Sequence, residues 1–173
     1  MSNSGVRQSI LNAVSQYQLK LATQNEAKFQ ETPAIGGWSY SEVYSHIFDS
    51  SLLSLRALQA CIKGNGLVKP TPFGARLVLF FGKLPPGKKY KVPRRLAERV
   101  KKIDLITAQQ LINDFELQLA KVYPLMGKAD LKIKIEHPRL GYLNATQWLR
   151  FIVIHLKHHL KQLTRIEKSF KSQ

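Results

Sequence analysis

Four stretches of this sequence repeat apolar side chains every third or fourth residue, and that period constrains the fold more than any other feature. Val6, Ile10, Val14, Tyr17 and Leu21 make the first stripe. Val43, Ile47, Leu52, Leu55, Leu58 and Ile62 make the second and occupy most of a helix circumference, which predicts burial on more than one side. Leu111, Phe115, Leu119 and Val122 form the third. Trp148, Ile152, Leu156, Leu163 and Ile166 form the fourth, with Arg150, Lys157, Lys161 and Lys168 on the opposite side. Amphipathic helices of this length hide their stripes against one another, so the predicted class is all-α, a four-helix bundle. The 173 residues suit one domain spanning residues 1–173. A compact chain of that size removes roughly 70% of its unfolded surface from water, so neither disulfides nor a structural metal are needed to hold it together.

Punctuation between the stripes sets the boundaries. The first helix is expected to end near Thr32-Pro33. Ser39 can cap the second helix while Glu42 reaches back to the Ser39 amide, and Gly64-Asn65-Gly66 stops it. Thr107 and Gln110 repeat the capping spacing ahead of the third stripe, which Pro124 and Gly127 terminate. Leu131 to Glu136 alternates apolar and charged residues and reads as one extended segment with no evident strand partner. His137-Pro138 and Gly141 form a turn, and Asn144 to Gln147 opens a last helix reaching roughly Lys168. Residues 63–104 hold five prolines, five glycines and 12 basic residues against Glu98 and Asp104. Such a stretch is a crossover rather than a tight hairpin, with short helices expected at Gly74–Phe81 and Arg94–Lys101, and it lets the second and third helices run parallel.

Charge narrows the partners. Lys and Arg number 27 against 11 Asp and Glu, a formal +16, and the crossover supplies most of the excess. A balance of that kind attracts acidic small molecules, polyanions or an anionic membrane face. Lys83, Lys88, Lys89, Lys91, Arg94 and Arg95 gather beside prolines and Tyr90, a set able to grip phosphate or carboxylate groups. One reading of the chain is therefore a non-catalytic basic bundle that binds nucleic acid or acidic lipid through residues 83–102. No helix-turn-helix or other nucleic-acid module is visible, so specific nucleic-acid recognition is not expected. The single cysteine, Cys61, reads as a small buried hydrophobe and suits a reducing compartment. The N-terminus lacks the apolar core of a secretion signal, and the longest aliphatic and aromatic run is Leu77 to Phe81. The expected location is the cytoplasm, with no transmembrane segment, and a homodimer is compatible with this reading. No Gly-x-Ser-x-Gly elbow, phosphate-binding glycine loop or His-Glu-x-x-His motif supports a serine hydrolase, nucleotide-binding or zincin reading.

Three of the five histidines lie in the last helix. His155 and His159 fall on its inward stripe, one turn apart, so their rings can converge on a single ion. His158 falls on the flank. Two imidazoles facing an apolar core need partners for their ring nitrogens, and a divalent cation supplies partners to both at once. A third donor must then come from another helix, and His46 is the candidate, on the side of the second helix shared with Val43, Ser50 and Leu53. The competing account has His155, His159 and His46 each bonded separately to hydroxyl or carbonyl groups. His137, before a proline in a turn, suits a hydrogen bond to backbone. Glu42 is committed to its capping box, whereas Asp49, one turn after His46, either orients that ring or faces solvent.

The same residues carry a family resemblance. Trp38-Ser39 with His46 eight positions after the tryptophan, then His137-Pro138-Arg-Leu-Gly141-Tyr-Leu143, Gln147-Trp148 and His155-x-x-His158-His159-x-x-Gln162 resemble the DinB/YfiT-like superfamily of candidate metalloenzymes. The resemblance covers residues 38 to 166. It implies a four-helix bundle with a long link between the second and third helices and three histidines on one metal, which by position are His46, His155 and His159. It also implies a range of activities, thiol-dependent S-transfer, thiol-dependent isomerisation and metal-dependent hydrolysis, with a low-molecular-weight thiol as a second cofactor. The very basic crossover departs from the family's transferases and suits a small, anionic substrate. Zinc and nickel suit three imidazoles best, although iron and manganese also accept open nitrogen sites.

Overall fold

Each long helix begins where a short polar side chain can accept a free amide. The computed structural model describes residues 2–33, 36–84 and 99–171. Helix α1 spans Asn3–Ala22 and is capped by Ser2, whose Oγ accepts from the Gly5 amide. Helix α2 is a five-residue piece, Glu26–Gln30, capped by Asn25. Helix α3 spans Tyr40–Ile62 and carries the capping box expected of Ser39 and Glu42: the Glu42 amide donates to Ser39 Oγ, and the Ser39 amide donates to Glu42 Oε2 at 2.9 Å. Strand β1, Leu67–Val68, and helix α4, Phe73–Phe81, follow. Helix α5 spans Leu105–Val122 and runs on into a 3-10 turn over Tyr123–Lys128. Strands β2, Ile133–His137, and β3, Gly141–Leu143, precede helix α6, Ala145–Lys171. A reciprocal pair opens α6: the Gln147 amide donates to Asn144 Oδ1, and the Asn144 amide donates to Gln147 Oε1.

The four stripes become one core. Val6, Ile10, Val14, Tyr17 and Leu21 are all buried, as are Phe115, Leu119 and Val122, and Trp148, Ile152, Leu156, Leu163 and Ile166. Helix α3 packs on both α5 and α6, which explains its wide apolar circumference. Directions follow from the contacts. Ser41, at the start of α3, exchanges two hydrogen bonds with Ile103 just before α5, and the Phe48 and Phe115 rings meet further along, so α3 and α5 run parallel. Tyr40 stacks on Phe170 and Cys61 Sγ points at the Leu143 carbonyl, so α3 and α6 run antiparallel. Cys61 is fully buried, the small hydrophobe that its sequence position suggests.

Four local expectations need correction. The first helix breaks at Thr23 rather than at Thr32-Pro33, because Asn25 caps a separate short helix and seats the fully buried Phe29 against Tyr44. Asp104, not Thr107, caps α5, with the Thr107 amide donating to Asp104 Oδ1 at 2.6 Å. Residues 99–101 are not helical, and the remainder of the expected Arg94–Lys101 helix lies outside the described residues. The alternating run does have partners: β2 pairs antiparallel with β1, Leu67 opposite Lys134, and with β3, Ile135 opposite Leu143. These three short strands form one sheet in order β1-β2-β3 at an end of the bundle. β1 escapes sequence reading because two residues carry no period. Gly64, with φ at +78°, adopts the left-handed backbone that turns the chain out of α3 towards it.

Candidate metal centre

Antiparallel packing of α3 on α6 brings His46 onto the two inward histidines of α6. One ring nitrogen from each of His46, His155 and His159 lies within 4.8 Å of the others. The His46 ring centroid is 5.2 Å from that of His155 and 4.9 Å from that of His159. His155 Nε2 and His159 Nε2 are 3.0 Å apart. The separate fates offered by the competing account, each ring sealed by its own hydroxyl or carbonyl, do not describe this cluster.

Surrounding groups set ring orientation and charge. His159 Nδ1 is 2.8 Å from Gln162 Oε1, so Nδ1 carries the proton and donates it, which leaves Nε2 bare towards the cluster. The proton between the two Nε2 atoms then belongs to His155. That leaves His155 Nδ1 a bare acceptor, and this atom is buried without a hydrogen-bond partner. His46 Nδ1 has only a long contact, 3.5 Å, to Ser50 Oγ. Trp38 packs against His46 at 4.9 Å and stacks on His159 at 6.2 Å between centroids. On the far side Phe151 stacks on His155 at 5.2 Å, and His137 packs on Phe151 at 4.4 Å.

Burial keeps these rings neutral. It lowers His46 to about 4, with Asp49 pulling the other way and His158 adding to the drop. His155 and His159 sit well below the ordinary histidine range, first through loss of solvent and then through their histidine neighbours. His158, on the flank, is lowered less, through burial and the nearby Arg165 and Lys161. At neutral pH the cluster therefore offers uncharged nitrogens, the form in which imidazole binds a cation. Two arms of about 2.0–2.1 Å each span more than the 3.0 Å between the Nε2 atoms, so a single ion reaches both in the tautomer that carries the His155 proton on Nδ1. Three neutral imidazoles and a hydrogen-bonded outer partner on one ring fit a three-histidine metal centre.

The other sequence candidates fall in defined places. Asp49 does not orient His46: both its oxygens are taken by Arg99, at 2.7 and 2.6 Å. That pairing ties the returning end of the crossover to α3, one turn from the histidine. Glu42 stays in its cap. His137 Nδ1 accepts from the amides of Arg139 and Leu140 at 3.1 Å each, the backbone role its place in a turn suggests. Lys88, Lys89, Lys91, Arg94, Arg95 and Tyr90, central to the polyanion reading of residues 83–102, lie outside the described residues. Gln162 and Trp38 acquire roles that sequence reasoning did not assign. The spacing of Gln162, three after His159, is the signal that could have found it.

Fold and site together define a helical-bundle protein with a candidate three-histidine metal centre in its core. The sequence profile of the DinB superfamily matches residues 11–163, and the chain belongs to that superfamily, which includes metal-binding members. Among solved structures, the chain is similar to the crystal structure of TT2238, a four-helix bundle protein, with 18% identity and a TM-score of 0.62 over 95% of this chain and 99% of that one. That likeness concerns the fold. No curated protein matches the sequence. No helix among the described residues is long and apolar enough to cross a membrane.

Proposed function

We propose that His46, His155 and His159 hold one divalent transition metal, zinc or nickel first, and that the chain is a cytoplasmic metal-dependent enzyme of the hydrolase or thiol-dependent S-transferase type. The observation that carries this reading is the convergence of three neutral ring nitrogens, drawn from two helices, within 4.8 Å. A metal there would be held by His46, His155 and His159 and would supply a Lewis acid able to lower the pKa of water or of a small thiol towards neutrality.

The protein's own residues do the rest. Burial of His155 and His159 keeps both rings uncharged at pH 7. Gln162 holds the His159 ring in one tautomer with Nε2 facing the cluster. Trp38 covers two of the rings and limits water on that side. Arg99 holds both Asp49 oxygens in an ion pair, so that carboxylate is not offered as a base at the cluster. The basic balance of the chain suits a small, anionic substrate.

Elemental analysis of protein purified without a nickel column is expected to find close to one transition metal per chain, and His155→Ala to lose most of it. Protein that takes up no metal after incubation with zinc or nickel would refute the proposal.

A further inference from the structure

Helix α4 is apolar on both sides. At about 100° per residue, Ala75, Val78 and Leu79 share one face, and all three are buried. Hydrogen bonding joins this face to α6, since Arg150 Nε donates to the Leu79 carbonyl. Phe73, Leu77, Phe80 and Phe81 fall within an arc of about 100° on the opposite face. They are 75%, 41%, 79% and 67% exposed. A helix that is hydrophobic all round is ordinarily covered all round, and here only the inner half is. Leu67 and Val68 of β1, shortly before α4 in the sequence, are exposed as well.

The charged residues next to α4 in the sequence are all basic. Lys69, Arg76 and Lys83 are exposed before, on and just after α4. Between Asp49 and Glu98 the sequence contains no acidic residue. Nine helical residues rise only about 13 Å, too little to cross a bilayer but enough to lie in its surface. A strip of three phenyl rings and a leucine, edged by cations, has the chemistry of an interfacial segment: apolar side chains enter the headgroup and acyl boundary while Lys and Arg meet anionic headgroups. Either element alone binds weakly and reversibly, whereas an apolar anchor joined to a basic patch binds stably. Nucleic acid fits less well, because Leu77 offers no face for base stacking and none of the four side chains offers a donor.

We propose that the outer face of α4 is a peripheral membrane-docking surface, specific for bilayers rich in anionic phospholipid. Phe73, Leu77, Phe80 and Phe81 insert, while the surrounding basic residues select the headgroup charge. The full-length chain should co-sediment with vesicles of 70% phosphatidylcholine and 30% phosphatidylglycerol at least tenfold more strongly than with pure phosphatidylcholine, and 0.5 M salt should weaken that binding. Phe80→Ser with Phe81→Ser should lower binding at least tenfold, while Ile106→Ser, an equally exposed apolar position on α5, should not change it. Should the double variant fail to fold, Phe80→Trp provides the test, with its fluorescence expected to be quenched by brominated acyl chains. The proposal is overturned if the wild type ignores the anionic vesicles, if the serine pair binds them as well as wild type, or if brominated acyl chains leave the fluorescence of the Phe80→Trp protein untouched. It is equally overturned if the serine pair only dissolves a dimer in sedimentation velocity, or only weakens binding to single-stranded DNA.

Discussion

Replacing Gln162 by leucine tests the site through a residue that would not touch the metal itself. In the metal-free protein, the bond from His159 Nδ1–H to Gln162 Oε1, 2.8 Å long, joins two neutral groups and is worth about 1 kcal/mol. With a cation on the opposite nitrogen the ring carries part of its charge, and the same bond rises to about 1.5–3 kcal/mol. The difference, about 0.5–2 kcal/mol, belongs only to the loaded state. At about 1.4 kcal/mol per factor of ten, Gln162→Leu should raise the dissociation constant for zinc or nickel about 2–30-fold. Gln162 is only half-buried, so a water can replace part of the lost bond and the lower half of that range is expected. Gln162→Glu keeps the acceptor and adds a negative charge, so it should bind at least as tightly as wild type. Titration against a competing chelator reads these constants, with circular dichroism confirming the helical fold. A Gln162→Leu protein whose affinity stays within twofold of wild type would refute the assignment of His159 Nε2 as a ligand.

Further outcomes follow from the same geometry. Acid should destabilise the metal-free protein: burial lowers His46 and His137 to about 4 in the folded chain, while the unfolded chain takes up protons near 6.5, so stability is full above about pH 6.5 and falls as pH drops towards about 4. Urea midpoints that stay flat across that window would contradict the burial of those rings. Ser41→Ala should cost about 1–3 kcal/mol in urea unfolding, because the buried Ser41 Oγ accepts from the Ile103 amide at 2.6 Å and donates to its carbonyl at 2.7 Å, and both would lose their partner. Gly66→Ala should lower the melting temperature, since a Cβ there would sit 2.5 Å from the Lys134 carbonyl oxygen and force β1 off β2. An unchanged melting temperature would mean that this pairing does not hold the end of the bundle.

The sequence by itself determined the four amphipathic stripes and the face each one buries. Helical periodicity reports local geometry, so the stripes through Tyr17, Phe115 and Leu156 were legible without partners, as were the Ser39–Glu42 cap and the inward placing of His155 and His159. Helix starts were less certain, because Asp104 and Thr107 both offer oxygens at capping distance and only the path of the chain before α5 selects between them. Tertiary structure alone decided what lies far apart in sequence: the pairing of β1 with β2, the capture of Asp49 by Arg99, and the apolar face that α4 leaves uncovered. It also decided the site. Helical spacing can put two rings on one side of α6, but the approach of His46 depends on the antiparallel packing of α3 against that side, a matter of side-chain volumes between helices rather than of any local preference.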